Sequence, residues 1–174
     1  MMQKIKKLLR IILSIPKTIY FNLRYLPLQQ AIHLPIWLAT NVRIRDMYRG
    51  GIIIDAPVHM AMIRVGFHQV DAICIYSLKT ILNIPKPGKW ILKGEAHIGH
   101  GAIISCVGGV MTVGNNFAVS GSTSFVCYKE ITIGDDVQFA WDSLVMDSDA
   151  HKIYTSDGER MNEDSPVVIG DKVW

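Results

Sequence analysis

The fold is decided by residues 131–146, which read ITIGDDVQFAWDSLVM. Within this stretch Ile133, Phe139 and Val145 are six residues apart, and small residues follow the first two. A period of six fits neither a helix, with about 3.6 residues per turn, nor an alternating strand, with a period of about two. It is typical of a solenoid in which three short strands form a triangular coil of about eighteen residues and successive coils stack.

The same period extends upstream of residue 131. Apolar residues recur at six-residue steps in two further series, namely Leu92, Ile98, Ile104 and Val113, Val119, Phe125, Ile131. A small residue usually follows each apolar one, as at Gly99, Ser105, Gly114 and Ser120. We expect the apolar side chains to point inward and the small residues to let the chain turn each corner without a clash. The pattern therefore predicts an all-β fold, a parallel β-helix.

One long interruption breaks the period. Gly134 and Gly170 are separated by 36 residues, which is one coil plus an excursion at about residues 147–166. This stretch is polar and acidic. Because long loops on a rigid scaffold tend to carry function, we expect the functional residues to lie there.

The region before the repeat is predicted to differ. Residues 4–15 have apolar side chains at helical spacing and form a short amphipathic N-terminal helix, which Pro16 is expected to end. Short helical or irregular pieces follow at 19–25 and 29–40, and irregular early strands at 52–54, 62–65 and 73–75. The predicted organisation is a helical lead-in at 1–41 and a β-helix domain at 42–174 with an inserted loop at about 147–166. The chain stops at the opening of a new coil, so we expect a truncated form of a longer protein whose C-terminal coils are missing.

Composition narrows the class of protein. The 174 residues, 49% hydrophobic and 19% charged, fit one globular domain. The basic residues near the N-terminus form either a solvated helix face or a weak contact with a membrane surface. They are not interleaved with stacking aromatics, which argues against nucleic-acid binding. Three widely spaced cysteines argue against a disulfide framework and against a thiolate zinc site. With no convincing signal peptide and no run of about 18 apolar residues, we expect a cytoplasmic protein, or one peripheral at the inner face of the membrane.

Residues 92–174 resemble the hexapeptide-repeat acyltransferases, which include galactoside, maltose and serine acetyltransferases. The resemblance rests on Ile131–Val137, Trp141-Asp142, Met146–His151 and Ile169–Trp174, and it looks most like sugar O-acetyltransferases of bacterial surface-polysaccharide gene sets. It implies a left-handed β-helix, a homotrimer with sites between subunits, acetyl-CoA as co-substrate, a saccharide acceptor and no metal. Galactoside and maltose enzymes carry Asn where this chain has Ser120 and Ser122, so the same acceptor sugar is not implied.

The catalytic residues follow from the chemistry and from the resemblance. Transfer of an acyl group to a hydroxyl needs a general base, and His titrates near neutral pH. His151 matches the family's catalytic His, and the alternative is an ordinary surface-loop His. Asp149 and Asp147 are expected to orient the imidazole; the alternative is solvated loop carboxylates or an Asx turn.

Four further residues are predicted to bind substrates. Trp141 and Asp142 are candidates for the acceptor pocket, together with Ser122; alternatively, Trp141 packs outward on the next subunit. Trp174 matches a family Trp near the coenzyme arm.

Three other functions remain open. One is a serine or other small-acceptor O-acetyltransferase, and another is a non-catalytic β-helix scaffold. The third is a zinc hydro-lyase like the γ-class carbonic anhydrases, with His97, His100 and His151 as ligands. The spacing puts His97 and His100 on different sides of a corner, so we expect both to be exposed.

Overall fold

The computed structural model describes residues 2–68, 70 and 78–174, with side chains from residue 8 onward. The described chain contains two helices and fifteen strands. The helices are α1 (Met2–Tyr25) and α2 (Leu28–Ala31). The strands are β1 (Ile36–Leu38), β2 (Val42–Met47), β3 (Ile52–Ile54), β4 (Ile63–Val65), β5 (Thr80–Ile84), β6 (Lys89–Leu92), β7 (Ala96–His100), β8 (Ile103–Cys106), β9 (Val110–Val113), β10 (Phe117–Gly121), β11 (Ser124–Cys127), β12 (Glu130–Ile133), β13 (Gln138–Phe139), β14 (Leu144–Met146) and β15 (Val167–Ile169).

Every third strand pairs in parallel, which makes three sheets of five strands each. Sheet A has the order β1-β4-β7-β10-β13, sheet B has β2-β5-β8-β11-β14, and sheet C has β3-β6-β9-β12-β15. Three consecutive strands therefore form one coil, and five coils stack. This arrangement confirms the predicted parallel β-helix with an N-terminal helix. The strands expected at 52–54 and 62–65 are present as β3 and β4, whereas the one expected at 73–75 lies outside the described residues.

The six-residue apolar series lines the interior. Ile98 pairs with Val119, Ile104 with Phe125, and Val113 with Ile133 in successive coils, and all six residues are buried. Phe139 and Val145 are partly buried and pack against this core. Phe125 stands edge-on to Phe117 and Phe139, with ring centroids 5.7 and 5.1 Å apart. Because each coil adds its apolar residues to the same column, burial of apolar area holds the stack together.

The glycines after this series avoid a clash at the corners, as expected, and the atoms that they avoid belong to the next coil. Gly114 and Gly134 occupy equivalent corners, and the coil that follows places an Asp carboxylate against each of them. The N–H of Asn115 donates to Asp135 Oδ1 at 2.7 Å, and the N–H of Asp135 donates to Asp171 Oδ1 at 2.8 Å. The corner therefore needs glycine because the next coil's side chain and backbone occupy the space of a Cβ, and the resulting ladder of hydrogen bonds joins the coils.

Gly134→Ala should destabilise the fold by about 1–3 kcal/mol, as overpacking in a close-packed site does. A Cβ at residue 134 would lie 2.8 Å from the backbone nitrogen of Asp171, and nearer still to its Oδ1. Gly170→Ala is the matched control, because no atom lies within 4 Å of a Cβ there. Urea unfolding of both variants measures the difference. Equal free energies of unfolding for the two would contradict this account of the corner.

Helix α1 is longer than expected, and the prediction that Pro16 ends it is wrong. Pro16 lies inside a helix that runs from Met2 to Tyr25. Proline removes one N–H and crowds the carbonyl four residues earlier, that of Ile12. Contacts beyond the proline compensate, because Thr18 and Asn22 hold the second half of the helix on the β-helix. Among the described residues, no helix is both long enough and apolar enough to cross a bilayer.

The polar side of α1 covers the first strand of the β-helix. The N–H of Leu38 donates to Thr18 Oγ1 at 3.1 Å, and the N–H of Ile36 donates to Asn22 Oδ1 at 3.2 Å. The Asn22 amide also donates to the carbonyl of Ile36 at 2.7 Å. An edge strand exposes unpaired backbone groups, and these side chains satisfy them on β1. The segment 29–40 thus contains the end of α2 and strand β1, and the first coil begins ahead of Val42.

Candidate functional site

The inserted loop leaves the β-helix after β14 and returns at β15, so it comprises residues 147–166. Its own secondary structure is a single antiparallel bridge between Tyr154 and Arg160. Arg160 pairs with Glu163 at 3.0 Å and with Asp164 at 3.2 Å. The ammonium of Lys129 donates to the carbonyl of Asp164 at 2.7 Å, which ties the returning limb to the preceding coil. The loop is therefore fixed at its end against the scaffold.

Asp147, at the start of the loop, is a structural anchor in this arrangement. Its side chain is only 5% exposed. Oδ1 accepts from the N–H of Tyr128 at 2.7 Å, and Oδ2 accepts from the N–H groups of Lys129 and Glu130 at 2.8 and 2.7 Å. Three backbone donors converge on one carboxylate, as in an anion-binding nest. These bonds hold the Asp147 carboxylate on the preceding turn, and among the described residues no hydrogen bond joins it to the imidazole that it was expected to orient.

The buried thiols beside Asp147 are held in their neutral form. Burial and then the Asp147 carboxylate raise the pKa of Cys127 to about 12. Burial also raises the pKa of Cys106, its neighbour in the preceding coil. A thiol with so high a pKa has little thiolate at neutral pH and is a poor nucleophile. Neither Cys106 nor Cys127 is therefore suited to covalent catalysis.

His151 is exposed on the loop, and one of its ring nitrogens is positioned by the backbone. Nδ1 lies 2.8 Å from the carbonyl oxygen of Asp149. A carbonyl only accepts hydrogen bonds, so the network assigns the proton to Nδ1. Nε2 then carries the lone pair and is the basic nitrogen of the neutral ring. An imidazole held at Nδ1 in this way is suited to accept a proton at Nε2.

Asp149 acts on His151 through its backbone carbonyl, while its carboxylate contacts Asn162. The Asn162 amide donates to Asp149 Oδ2 at 2.9 Å and to the carbonyl of His151 at 2.6 Å. The N–H of Ile153 donates to Asn162 Oδ1 at 2.7 Å. Asn162 thus joins the two limbs of the loop around His151. The sequence carries no spacing signal for this residue, because the contact depends on how the loop folds back.

A groove of about 310 Å³ runs beside this group. Its wall includes Asp149 and Asn162, and Met146 and Pro166 line it where the loop meets the β-helix. The groove combines carboxylate, amide and apolar surface, and two of its lining residues, Asp149 and Asn162, also contact His151. Such a surface has the polar groups that a polyhydroxylated acceptor needs for hydrogen bonds.

The other predicted site residues lie on the coils. Ser122 and Asp142 have positive φ values of 51° and 57°, and they occupy the turns that follow β10 and β13 in successive coils. Trp141 is exposed beside Asp142, and Trp174 is 92% exposed. In the described part of the chain, no hydrogen bond joins any of these four residues to His151. The structure joins His151, Asp149 and Asn162 through hydrogen bonds, whereas Trp141 and Trp174 are exposed on the coils.

The chain was compared with models of protein families, with curated proteins and with solved structures. None of the three comparisons finds a match.

The expectation that His97 and His100 are both exposed is wrong for His100. His100 is 4% exposed, and its Nδ1 lies 3.0 Å from the Asn41 amide. The side chain is buried at the end of β7, where the first coil packs beside it. His97 is on the outer face of sheet A, where partial burial and then Arg64 lower its pKa. Among the described residues, no three His, Cys, Asp or Glu side chains are grouped so that they could hold a metal ion.

Proposed function

We propose that this protein is an acetyl-CoA-dependent O-acetyltransferase that acts on a hydroxyl of a surface saccharide or its precursor. The observation that carries the proposal is the exposed imidazole of His151, which is held at Nδ1 by the Asp149 carbonyl 2.8 Å away on a loop inserted into a parallel β-helix. The resemblance of residues 131–151 to sugar O-acetyltransferases supports the same function. A cytoplasmic location, where acetyl-CoA is available, and the left-handed winding of the family belong to this proposal.

The proposed reaction needs one general base and no covalent enzyme intermediate. Nε2 of His151 takes the proton of the acceptor hydroxyl while that oxygen attacks the thioester carbonyl carbon of acetyl-CoA. The tetrahedral intermediate collapses, the C–S bond breaks, and the leaving thiolate takes the proton from the imidazolium. The Asp149 carbonyl, which accepts from Nδ1, stabilises the imidazolium while it exists.

Substrates are proposed to reach His151 from two sides. The saccharide occupies the groove beside Asp149 and Asn162, and Trp141, Asp142 and Ser122 contribute to acceptor binding from a neighbouring surface. The exposed Trp174 indole is assigned to the coenzyme arm, in line with the family resemblance. Its exposure makes it available for such a contact.

A homotrimer is part of the proposal, and the outer surface of sheet B supports it. The outward positions of this sheet include apolar residues on four successive strands, interspersed with the polar residues Arg43, Asn83 and Ser124. Apolar positions on sheet B include Ile81, Ile103, Val126 and Leu144. A flat face of a triangular coil that carries apolar side chains on successive strands is suited to pack around a threefold axis, and such packing would bring the loop of one subunit towards the next.

Leu144→Asp should therefore weaken trimer assembly, because an unpaired carboxylate buried in an apolar contact costs about 2 kcal/mol or more per subunit. Val168→Asp is the matched control, since Val168 is an exposed apolar residue on sheet C. Light scattering after size-exclusion chromatography, over a series of concentrations, measures the assembly. A monomeric unmodified protein, or a Leu144→Asp variant that assembles like the control, would count against the trimer.

The function itself is tested by release of free thiol from acetyl-CoA, measured with a panel of saccharides and with serine as acceptors. We expect thiol release that depends on a saccharide. Release only with serine would assign the small-acceptor alternative. Stoichiometric zinc in the purified protein, together with no thiol release, would replace the proposal with a zinc hydro-lyase. If the protein shows no thiol release and contains no zinc, the remaining assignment is a non-catalytic β-helix scaffold.

A further inference from the structure

Helix α1 turns its polar side chains towards the protein. Ser14, Thr18 and Asn22 are four residues apart and so lie on one side of the helix, and all three are buried against the start of the β-helix. Their contacts are made largely with backbone groups, including those of Ile36 and Leu38 described above. The side of a surface helix that faces the protein is ordinarily its apolar side. In α1 this side is mixed, because Phe21 is buried there together with the polar residues Ser14, Thr18 and Asn22.

Most of the large apolar side chains of α1 nevertheless face away from the β-helix. On a helical projection of about 100° per residue, its large apolar side chains fill a broad continuous sector. The most exposed are Leu8, Leu9, Ile12, Leu13, Tyr20 and Leu23. Leu13, near the middle of the helix, is 61% exposed. A contiguous apolar surface of this length marks a site of interaction with a partner or a membrane.

The charge of the same helix indicates which of these partners fits. The first acidic residue of the chain is Asp46, so α1 contains no carboxylate side chain. It contains six basic residues, Lys4, Lys6, Lys7, Arg10, Lys17 and Arg24. Arg10, Lys17 and Arg24 are seven residues apart, which places them in one row along an edge of the apolar sector. The ammonium of Lys17 contacts the carbonyls of Thr40 and Val42, and the guanidinium of Arg24 lies over the Tyr25 ring, 5.7 Å from its centroid.

A second copy of the same helix is a poor partner for this surface. Two such helices would bring six positive charges each into contact, with no carboxylate on either to neutralise them. An anionic bilayer satisfies both features at once, since it offers acyl chains to the apolar sector and negative headgroups to the basic residues.

We propose that α1 lies in the plane of an anionic membrane, with its apolar sector among the upper acyl chains and its basic residues at the headgroups. The β-helix then stands on the membrane through the buried contacts of Thr18 and Asn22. This inference is independent of the proposed acetyl transfer. It rests only on the orientation of α1 and on its charge.

The test is co-sedimentation of the full 174-residue chain with vesicles of phosphatidylcholine, with and without phosphatidylglycerol. We expect binding to the vesicles that contain phosphatidylglycerol, weak binding to pure phosphatidylcholine, and release at high salt. Changing Lys4, Lys6 and Lys7 to Gln should lower the affinity for these vesicles by about fivefold per lysine. Each basic residue near an anionic surface contributes about 1 kcal/mol of attraction, which corresponds to that factor. Leu9→Glu combined with Leu13→Glu should abolish binding. Val168→Glu, the same type of change at an exposed residue on sheet C, should leave it intact.

A second readout locates the helix directly. The variant that combines Leu13→Cys with Cys74→Ser is labelled with an environment-sensitive fluorophore. The emission maximum of the label should shift to the blue on vesicles that contain phosphatidylglycerol. Cys106 and Cys127 are buried with raised pKa values, so they should react slowly with the label. Circular dichroism and the melting temperature check that each variant is folded.

Results of two kinds would overturn the proposal. One is no binding of the folded chain to either kind of vesicle, or binding that the Leu9 and Leu13 changes leave intact. The other is a change in oligomeric state without lipid when Leu9 and Leu13 become Glu, which would make this surface a contact between protein chains.

Discussion

Replacing His151 with alanine should lower the rate of acetyl transfer by about 10²–10⁴-fold, the contribution of a positioned general base. Binding of CoA should remain nearly unchanged, because the imidazole acts on the acceptor's proton and does not hold the coenzyme. Steady-state rates with acetyl-CoA and the best saccharide, together with calorimetric titration of CoA, measure the two effects separately. His97→Ala is the matched control, since it removes another exposed histidine from a different face.

Variants around His151 refine this prediction. Asp149→Asn should lower the rate of acetyl transfer less than His151→Ala does, because the carbonyl that accepts from Nδ1 belongs to the backbone and survives the change. Asn162→Ala should lower this rate more than Asp149→Asn does, since it removes the hydrogen bonds to both the Asp149 carboxylate and the carbonyl of His151. Full turnover by His151→Ala would remove this residue from the mechanism. The contacts with Asp149 and Asn162 would then be ordinary loop structure.

Asp147→Ala should lower the free energy of unfolding by about 3 kcal/mol or more, because several hydrogen bonds to one charged acceptor are lost together and their donors are only partly exposed to water. The backbone N–H groups of Tyr128, Lys129 and Glu130 would lose their common acceptor. Urea unfolding measures the loss. Asp149→Ala is the control, and we expect it to cost about 1 kcal/mol or less because its contact with Asn162 is exposed.

The two roles considered for Asp147 give different results. If Asp147 anchors the turn at residues 128–130, its removal lowers stability and affects the rate only through the loop. If it orients the imidazole directly, its removal lowers the rate in a protein of unchanged stability. An Asp147→Ala variant as stable as Asp149→Ala would contradict the anchoring role.

The interior of the fold could be predicted from the sequence because its determinant is periodic. Ile98, Val119 and Ile133 recur in register with the coils, so spacing alone identifies which side chains point inward. The inserted loop was predictable for the same reason, as the place where the period stops. The source of the clash that these glycines avoid could not be predicted, since at Gly134 it is Asp171 in the coil that follows.

The predictions that were wrong or missing share a physical cause, which is contact between residues far apart in sequence. Pro16 is a local signal for a helix end, but Thr18 and Asn22 gain hydrogen bonds to β1 that only the folded chain provides. His100 is buried because Asn41, 59 residues earlier, packs against its ring. Asn162 approaches His151 only once the loop has folded back.

Acetyl transfer is tested most directly by the mass of the acceptor after incubation with the protein and acetyl-CoA. Thiol release alone would also follow from hydrolysis of the thioester, whereas a change in acceptor mass reports the transfer itself. The proposed function predicts a saccharide heavier by one acetyl group, labile to mild base as an ester is, and formed far more slowly by His151→Ala. A saccharide of unchanged mass under conditions in which the folded protein binds CoA would contradict it.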